Sequence, residues 1–401
     1  MTTSSSLPAR QRASLVRYVV SNKPRSHVDD LRGAGRLAVE ATRGVTSLVE
    51  AMHATIASGP AILGKPLAVP ARIATGLVYG TVRGVAALVG AGIDVALAQL
   101  APLLGSSVPG VEREAVLAAL NGVLGDYLHE TSNPLAIEMR LRHEGEPGSK
   151  LLVLLHGSAT TDRWPQGGHD HGAALARDLG YTPIYLRYNS GLHISTNGRG
   201  FADQLERLVA TWPVPIEELV LLGHSMGGLV ARSAIHAGAA HAWRSHLRSL
   251  ITVGSPHHGA PLERGGNWID LLLGISRYSA PLVRLGKIRS AGITDLRYGN
   301  VLDEHWHGRD RFEHRADDRS ALALPANVRC YAIAGTLSTE PGDRLRSDGM
   351  VPVDSAFGTH ATPELTLAFP DAHRSIAYAT GHVQLLGSRA VYDTIRTWLS
   401  E

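Results

Sequence analysis

The sequence predicts an α/β fold in which a mostly parallel central sheet carries helices on both faces. From about residue 136 onward, short aliphatic runs alternate with segments of helical spacing, the pattern of parallel strands joined by crossover helices. A glycine-rich strand–turn–helix junction lies in the middle of this region. The 401 residues, 44% hydrophobic and 19% charged, suffice for a large core and exclude a disordered or fibrous chain.

Hydrophobic spacing predicts the individual elements of this region. Strands are expected at five aliphatic runs: Lys150–Leu155, Thr182–Leu186, Glu218–Leu222, Leu247–Val253 and Asn327–Ile333. Helices are expected between them at Gly172–Leu179, Gly200–Thr211 and Gly228–Gly238. A last short strand and turn over Ser375–Gly381 and a final helix over Gln384–Leu399 complete the region. Ligands bind at the carboxyl ends of the strands in such sheets, so the functional site is expected there.

Residues 1–135 have a different texture and are predicted to form an N-terminal helical region, with the α/β domain at 136–401. Three charged residues in an otherwise apolar stretch, Arg72, Arg83 and Asp94, are spaced by eleven and share one helical stripe. The uncharged gaps are too short to span a membrane. Two interpretations stay open: a helical subdomain that packs on the α/β domain, and an amphipathic surface for peripheral membrane or lipid contact.

Charge and cysteine content exclude several function classes. The 39 Lys and Arg residues nearly balance the 36 Asp and Glu residues, for a net charge of +3, and no base-reading motif indicates nucleic acid. The one cysteine, Cys330, can form neither an internal disulfide nor a Cys-based zinc site. Met1–Asp30 shows no signal-peptide pattern, so we expect a cytoplasmic location.

The junction Gly223-His224-Ser225-Met226-Gly227 is the one G-x-S-x-G match in the chain. It directly follows the predicted strand Glu218–Leu222 and directly precedes a predicted helix. A serine at such a turn needs small neighbours, because the turn is strained and one backbone segment approaches another. The helix N-terminus also favours negative charge that develops beside it. Ser225 is therefore the candidate nucleophile.

A nucleophilic serine needs a base, and the base needs a carboxylate that orients it. In a fold of this kind they follow in the order serine, acid, histidine. Asp348 lies in the loop after the predicted strand Asn327–Ile333, and His382 follows the last short strand and is expected to open the final helix. Other candidates stay open for both roles: Asp343 and Asp354 for the acid, and His360 and His373 for the base.

Acyl transfer also needs two donors for the oxyanion. The backbone N–H of Met226, the residue after the nucleophile, is one candidate. The other is the backbone N–H of Ser158, in the turn His156-Gly157-Ser158 after the first core strand. His224 is expected to pack beside the nucleophile rather than to act as the base.

Five separated motifs resemble bacterial lipases and esterases of the α/β-hydrolase superfamily. They are the HG pair after an aliphatic strand, GHSMGG, GSPHHGAP at Gly254–Pro261, SDGMVP, and GHVQLL at Gly381–Leu386. The branch related to triacylglycerol lipases and GPI-inositol-deacylase-like esterases is the most similar. The resemblance covers about 136–401. It implies an α/β-hydrolase fold, a triad of Ser225, Asp348 and His382, and an oxyanion hole from Met226 and Ser158. The position of Ser158 is more often apolar in such lipases.

The segment Pro261–Asp303 lies where such enzymes insert caps. We interpret it as a lid over an apolar acyl pocket, while a fixed cap stays nearly as plausible. The expected function is a serine carboxylic-ester hydrolase that acts on hydrophobic, small-molecule or lipid-like esters through an acyl-enzyme. An acyltransferase and a non-catalytic lipid-binding protein are the alternatives, because the fold alone does not decide function.

Metal signals in the sequence are weak. Local histidine pairs occur at His169-Asp170-His171, His257-His258 and His305-Trp306-His307, each without a third ligand in view. No stretch has the oxygen-rich pattern of a calcium site. We therefore expect neither a metal nor a cofactor.

Overall fold

The computed structural model describes residues 16–18, 111–163, 169–259, 290–310, 317–340 and 346–401. In this part of the chain, one eight-stranded sheet has the order β1-β2-β4-β3-β5-β6-β7-β8. The strands are β1 (Val16–Tyr18), β2 (Arg140–Glu144), β3 (Lys150–Leu155), β4 (Thr182–Arg187), β5 (Glu218–His224), β6 (Leu247–Val253), β7 (Arg329–Gly335) and β8 (Arg374–Ala377). The predicted α/β class and mostly parallel sheet are confirmed.

The sheet is antiparallel at one edge and parallel elsewhere. Strand β2 pairs antiparallel with both β1 and β4, whereas β4, β3, β5, β6, β7 and β8 pair in parallel in that order. The central strands are continuous aliphatic runs; Leu151–Leu155, for example, is completely buried. Such runs suit strands that are covered on both faces. The carboxyl ends of β3, β5, β6 and β7 therefore meet at one edge.

Helices cover both faces of the sheet. They are α1 (Val111–Glu130), α2 (His171–Leu179), α3 (Ile194–Thr211), α4 (Met226–Ala237), α5 (Ala291–Asp295), α6 (Val353–Ala356) and α7 (Arg389–Ser400). On one face, α3 and α4 pack in a core that includes Phe201, Leu205 and Val230. On the other face, α2 and α7 pack in a core that includes Leu175, Tyr392 and Ile395.

The structure corrects several sequence-based boundaries. Strands β1 and β2 are not predicted from the sequence, β7 lies two residues later than expected, and α3 begins at Ile194 instead of Gly200. The final helix begins at Arg389, because the side chain of Ser388 accepts the N–H of Val391 and caps it there. His382 therefore precedes the helix by several residues and does not open it, contrary to the prediction.

Two predicted features lie wholly or partly outside the described residues. The stripe of Arg72, Arg83 and Asp94 is outside them, so lipid contact by the N-terminal region and its boundary at 135 stay predictions. Of the predicted lid Pro261–Asp303, only 290–303 is described. Among the helices that the structure describes, none is both long enough and apolar enough to cross a membrane.

Candidate active site

Ser225 occupies a strained turn between the end of β5 and the start of α4. Its φ of 53° and ψ of −124° are unusual for a residue other than glycine. The turn is held by two backbone hydrogen bonds: Ser225 N donates to Val253 O at 2.9 Å, and Gly228 N donates to Ser225 O at 3.1 Å. Ser225 is thus presented at the edge where the carboxyl ends of the parallel strands meet.

Glycines make the turn around Ser225 possible. A Cβ atom on Gly223 would overlap the backbone N of Gly228, and one on Gly227 would overlap the carbonyl oxygen of Leu155. The loop after β3 also comes close, since a Cβ on Gly157 would lie 3.1 Å from the Cβ of Ser225. These contacts explain why the motif requires glycine before and after the serine.

The two candidate oxyanion donors lie on either side of this contact. Met226 is the first residue of α4, so its N–H has no acceptor within the helix. Ser158 is buried in the loop after β3, and its Oγ makes no hydrogen bond within the described residues. The next residue, Ala159, has a φ of 56°, and its N–H donates to Ser190 Oγ at 3.0 Å.

Asp348 and His382 contact each other directly in the buried interior. The Nδ1 of His382 donates to Oδ2 of Asp348 at 2.7 Å, and the two side chains are 2% and 1% exposed. The other carboxylate oxygen of Asp348 accepts the backbone N–H groups of Met350 and Val351, at 2.9 and 2.7 Å. Because Nδ1 donates to the carboxylate, the neutral ring presents Nε2 as its proton acceptor. Nε2 makes no hydrogen bond within the described residues.

The strands beneath this pair end in glycines that leave room for it. A Cβ on Gly254, after β6, would lie 3.2 Å from Nδ1 of His382 and 3.3 Å from Oδ2 of Asp348. One on Gly335, the last residue of β7, would lie 2.8 Å from the Cβ of Asp348. The sequence analysis missed both positions, although a glycine at the carboxyl end of a predicted strand is a usable signal.

His224 links the nucleophile turn to the histidine loop. It precedes Ser225 in the chain, is buried, and donates from Nε2 to the backbone oxygen of His382 at 3.1 Å. The two imidazole rings lie 4.8 Å apart. Burial, with a smaller contribution from His382, holds the pKa of His224 well below its usual range, so the ring is neutral.

The alternative acids and bases lie elsewhere. Asp354 is exposed on α6, and Asp343 is outside the described residues. The ring of His360 lies 3.3 Å from a carboxylate oxygen of Asp317. The Nδ1 of His373 lies 3.1 Å from the carbonyl oxygen of Cys330, near the amino end of β7 and so at the opposite edge of the sheet from Ser225.

A buried polar network supports the loop after β3, residues 156–163, and no sequence motif indicated it. Arg142 on β2 donates from Nε to Asp162 at 3.1 Å. Burial raises the pKa of Asp162, but the charges of Arg187 and Arg142 outweigh it and hold that pKa below its usual value. At the start of the loop, the hydroxyl of Tyr188 donates to the carbonyl oxygen of His156 at 2.7 Å.

The histidine pairs noted in the sequence have other partners. His171 contacts the carbonyl oxygen of Leu385 through Nε2 at 3.0 Å, and Nδ1 of His257 lies 3.3 Å from the buried guanidinium of Arg232. His305 contacts Ser320. Over the described ranges, no group of three or more His, Cys, Asp or Glu side chains could hold a metal ion.

Comparison with known proteins places these features in a wider context. Residues 200–323 match the family described as PGAP1-like alpha/beta domain, a segment that includes most of α3, the Ser225 turn and β6. No curated protein matches the chain.

Several solved structures are similar to the chain at low identity. A mature Bacillus licheniformis lipase is 15% identical, covers 63% of this chain and 93% of its own, and has a TM-score of 0.38. A Pyrococcus furiosus esterase is 14% identical, with coverage of 65% and 84% and a TM-score of 0.41. Naproxen esterase (carboxylesterase NP) from Bacillus subtilis is 13% identical, with coverage of 65% and 87% and a TM-score of 0.35. On its strand order and its nucleophile turn, this chain has the α/β-hydrolase fold and resembles the lipases and esterases of that superfamily.

Proposed function

We propose that the protein is a serine carboxylic-ester hydrolase with Ser225 as nucleophile, His382 as base and Asp348 as the acid that orients the base. One observation carries this proposal. A completely buried His–Asp pair, with Nδ1 and Oδ2 2.7 Å apart, borders a strained strand-to-helix turn that presents a serine. Structural roles account poorly for a backbone held in such a conformation beside a polar pair.

In the first half of the reaction, Ser225 Oγ attacks the ester carbonyl carbon while Nε2 of His382 takes the hydroxyl proton. The carbonyl becomes an oxyanion, and the imidazolium is stabilised by Asp348. The bond to the alcohol oxygen then breaks, and His382 returns its proton to that alcohol. The product of this half is an acyl group on Ser225.

In the second half, water attacks the acyl carbon while His382 Nε2 accepts a proton from it. The bond to Ser225 Oγ breaks, His382 reprotonates the serine, and the carboxylic acid leaves. The backbone N–H groups of Met226 and Ser158 would donate to the oxyanion in both halves. Preorganised donors of this kind contribute on the order of 10²–10³ in kcat each.

The substrate class follows from the chain around the site. Apolar pieces in the cap segment, Trp268–Leu273 and Ala280–Val283, favour an ester with a hydrophobic acyl group. Trp268–Leu273 and Ala280–Val283 lie outside the described residues, so this part of the proposal rests on sequence alone.

The test is hydrolysis of p-nitrophenyl esters from acetate to palmitate. Wild type is compared with Ser225→Ala and with Ser400→Ala, which removes an exposed serine at the end of α7. We expect Ser225→Ala to lose at least about 10³-fold in kcat and Ser400→Ala to retain wild-type rates. Turnover that survives Ser225→Ala would refute the assignment. A folded wild type that hydrolyses none of the esters would favour an acyltransferase or a lipid-binding role.

A further inference from the structure

We propose that helix α1 positions the oxyanion loop, defined as residues 156–163, and so belongs to the active-site architecture. The helix lies in residues 1–135, outside the lipase and esterase resemblance. The inference rests on the proposed function, because it assigns α1 a role in placing the Ser158 N–H. Three segments that border the site dock on one face of α1, and the contacts of each are given below.

The first segment is the oxyanion loop itself. A Cβ on Gly122 would lie 2.6 Å from the Cβ of Ala159 and 2.9 Å from its Cα. Helix and loop are therefore in direct contact at the residue that follows Ser158. Ala159 is held from the other side by the hydrogen bond from its N–H to Ser190 Oγ. A shift of Ala159 would carry the neighbouring Ser158 N–H with it.

The second segment is the loop between β4 and α3, which supplies Ser190. Nδ2 of Asn189 donates to the carbonyl oxygen of Gly125 at 2.8 Å, and its Oδ1 accepts the N–H of Gly191 at 3.0 Å. A Cβ on Gly191 would lie 2.7 Å from the Cα of Gly125. The loop that holds Ala159 is thus itself fixed on the same face of α1.

The third segment follows the predicted lid. Ser290 Oγ donates to the carbonyl oxygen of Gly122 at 2.6 Å, and the N–H of Ala291 donates to Oδ2 of Asp126 at 2.8 Å. The N–H of Gly292 donates to the carbonyl oxygen of Gly191 at 3.0 Å. One helix therefore joins the oxyanion loop, the β4–α3 loop and the end of the cap.

Helix propensity makes the two glycines informative. A glycine inside a helix costs about 1 kcal/mol relative to alanine, so Gly122 and Gly125 are unfavourable for α1 alone. Their spacing of three puts them on one face, the face that the three segments contact. The close approach of loop backbone to helix backbone gives each glycine a physical reason.

The test compares Gly122→Ala with Gly238→Ala. The control adds the same methyl group, at the end of α4, where it would lie 2.6 Å from Trp243 Cζ2, away from the oxyanion loop. For Gly122→Ala we expect kcat on p-nitrophenyl butyrate to fall on the order of 10-fold or more, with KM within about twofold. Peptides within 156–163 should also exchange backbone hydrogen for deuterium faster. For Gly238→Ala we expect neither change.

A second variant separates positioning from general damage. Ala159→Gly removes the methyl group that Gly122→Ala would meet, so the double variant should regain at least half of the lost logarithm of kcat. Wild-type kcat and exchange in Gly122→Ala, or no recovery in the double variant, would overturn the inference. An inactive wild type would refute the proposed function alone, and exchange of 156–163 would then decide whether α1 holds the loop.

Discussion

His382 is fixed at three of its atoms. Its Nδ1 contacts the carboxylate of Asp348 at 2.7 Å, its backbone N–H donates to the carbonyl oxygen of Asp348 at 3.0 Å, and its carbonyl oxygen accepts from His224. These contacts leave the ring little freedom to rotate. A general base needs such orientation, because proton transfer depends on a short and aligned approach.

The role of His382 is tested against the alternative base. We expect His382→Ala to reduce kcat by at least about 10³-fold, since no other group then takes the serine proton. His373→Ala should stay within about twofold of wild type, because His373 lies at the opposite edge of the sheet. Steady-state rates on p-nitrophenyl butyrate decide. The assignment is wrong if His373→Ala is inactive while His382→Ala turns over normally.

His224 is expected to act as a positioning residue. His224→Phe keeps an aromatic ring but removes the Nε2–H that donates to the His382 carbonyl, so kcat should fall about 2- to 10-fold at unchanged KM, the size of one hydrogen bond. His224→Gln keeps a donor at similar reach and should recover most of that loss. Equal kcat for the Phe and Gln variants would show that the hydrogen bond is not the reason.

At the residue scale, the sequence supplied candidates but could not rank all of them. Asp348 and Asp354 lie six positions apart after β7, and only the folded chain distinguishes the buried carboxylate from the exposed one. Ser225 was easier, because the strand, the glycines and the helix that follow it are local signals. The contact of Arg142 with Asp162 joins residues from separate elements and has no local signal.

The turn at Ser225 depends on how closely α4 packs on β3. A Cβ on Gly227 would overlap the carbonyl oxygen of Leu155 and lie 2.7 Å from that of His156. Both contacts are to backbone, which cannot move aside as a flexible side chain can. Small side chains at this junction are therefore a steric requirement of the element pair.

Gly227→Ala should lower the free energy of unfolding by about 1–3 kcal/mol through overpacking. The matched control is Gly200→Ala on α3, where the nearest atom to a new Cβ is the Met139 Sδ at 3.4 Å. Its helix propensity should raise the free energy of unfolding by up to about 1 kcal/mol. Urea unfolding measures both. Equal signs for the two variants would contradict the proposed steric requirement.

At the element scale, prediction succeeded where the hydrophobic pattern was long and continuous. The runs at β3 and β6 have the predicted bounds, since strands buried on both faces are aliphatic throughout. Strand β2 was missed because Arg140–Glu144 is mostly charged and only alternate residues are buried. The start of α7 was misplaced because periodicity alone does not show that Ser388 caps the helix.

The whole molecule buries several histidines in neutral form. Burial lowers the pKa of His156, His171, His258 and His305 to about 4 each, from 6.5 in an unfolded chain. Between these values the unfolded chain binds more protons than the folded one. The free energy of unfolding should therefore fall as the pH falls from about 6.5 to about 4, and these groups add no dependence above about 6.5.

His156→Gln should make this loss smaller. Between pH 7.5 and 5.0 the variant should lose less stability than wild type, by on the order of 2 kcal/mol, because one buried imidazole no longer resists protonation. Urea unfolding at the two pH values measures it, with His129→Gln at an exposed position as the control. A variant that loses stability as steeply as wild type would contradict the origin of the effect.

At the scale of the whole molecule, composition could not indicate what α1 touches. The helix has the Ala-, Val- and Leu-rich texture that marked residues 1–135 as a helical region. Its contacts with Ala159, Asn189 and Ser290 come from sequence positions 37 to 168 residues away. Periodicity within a helix carries no information on such distant partners.

Covalent labelling of Ser225 tests the central claim most directly. A fluorophosphonate probe reacts when an activated serine oxygen bonds to phosphorus and fluoride leaves, and mass spectrometry of the digested protein locates the adduct. We expect one adduct on Ser225 in the native protein, strong loss of labelling in His382→Ala, and none in heat-denatured protein. A native, folded protein labelled at another serine, or labelled equally well without His382, would contradict the proposed catalytic site.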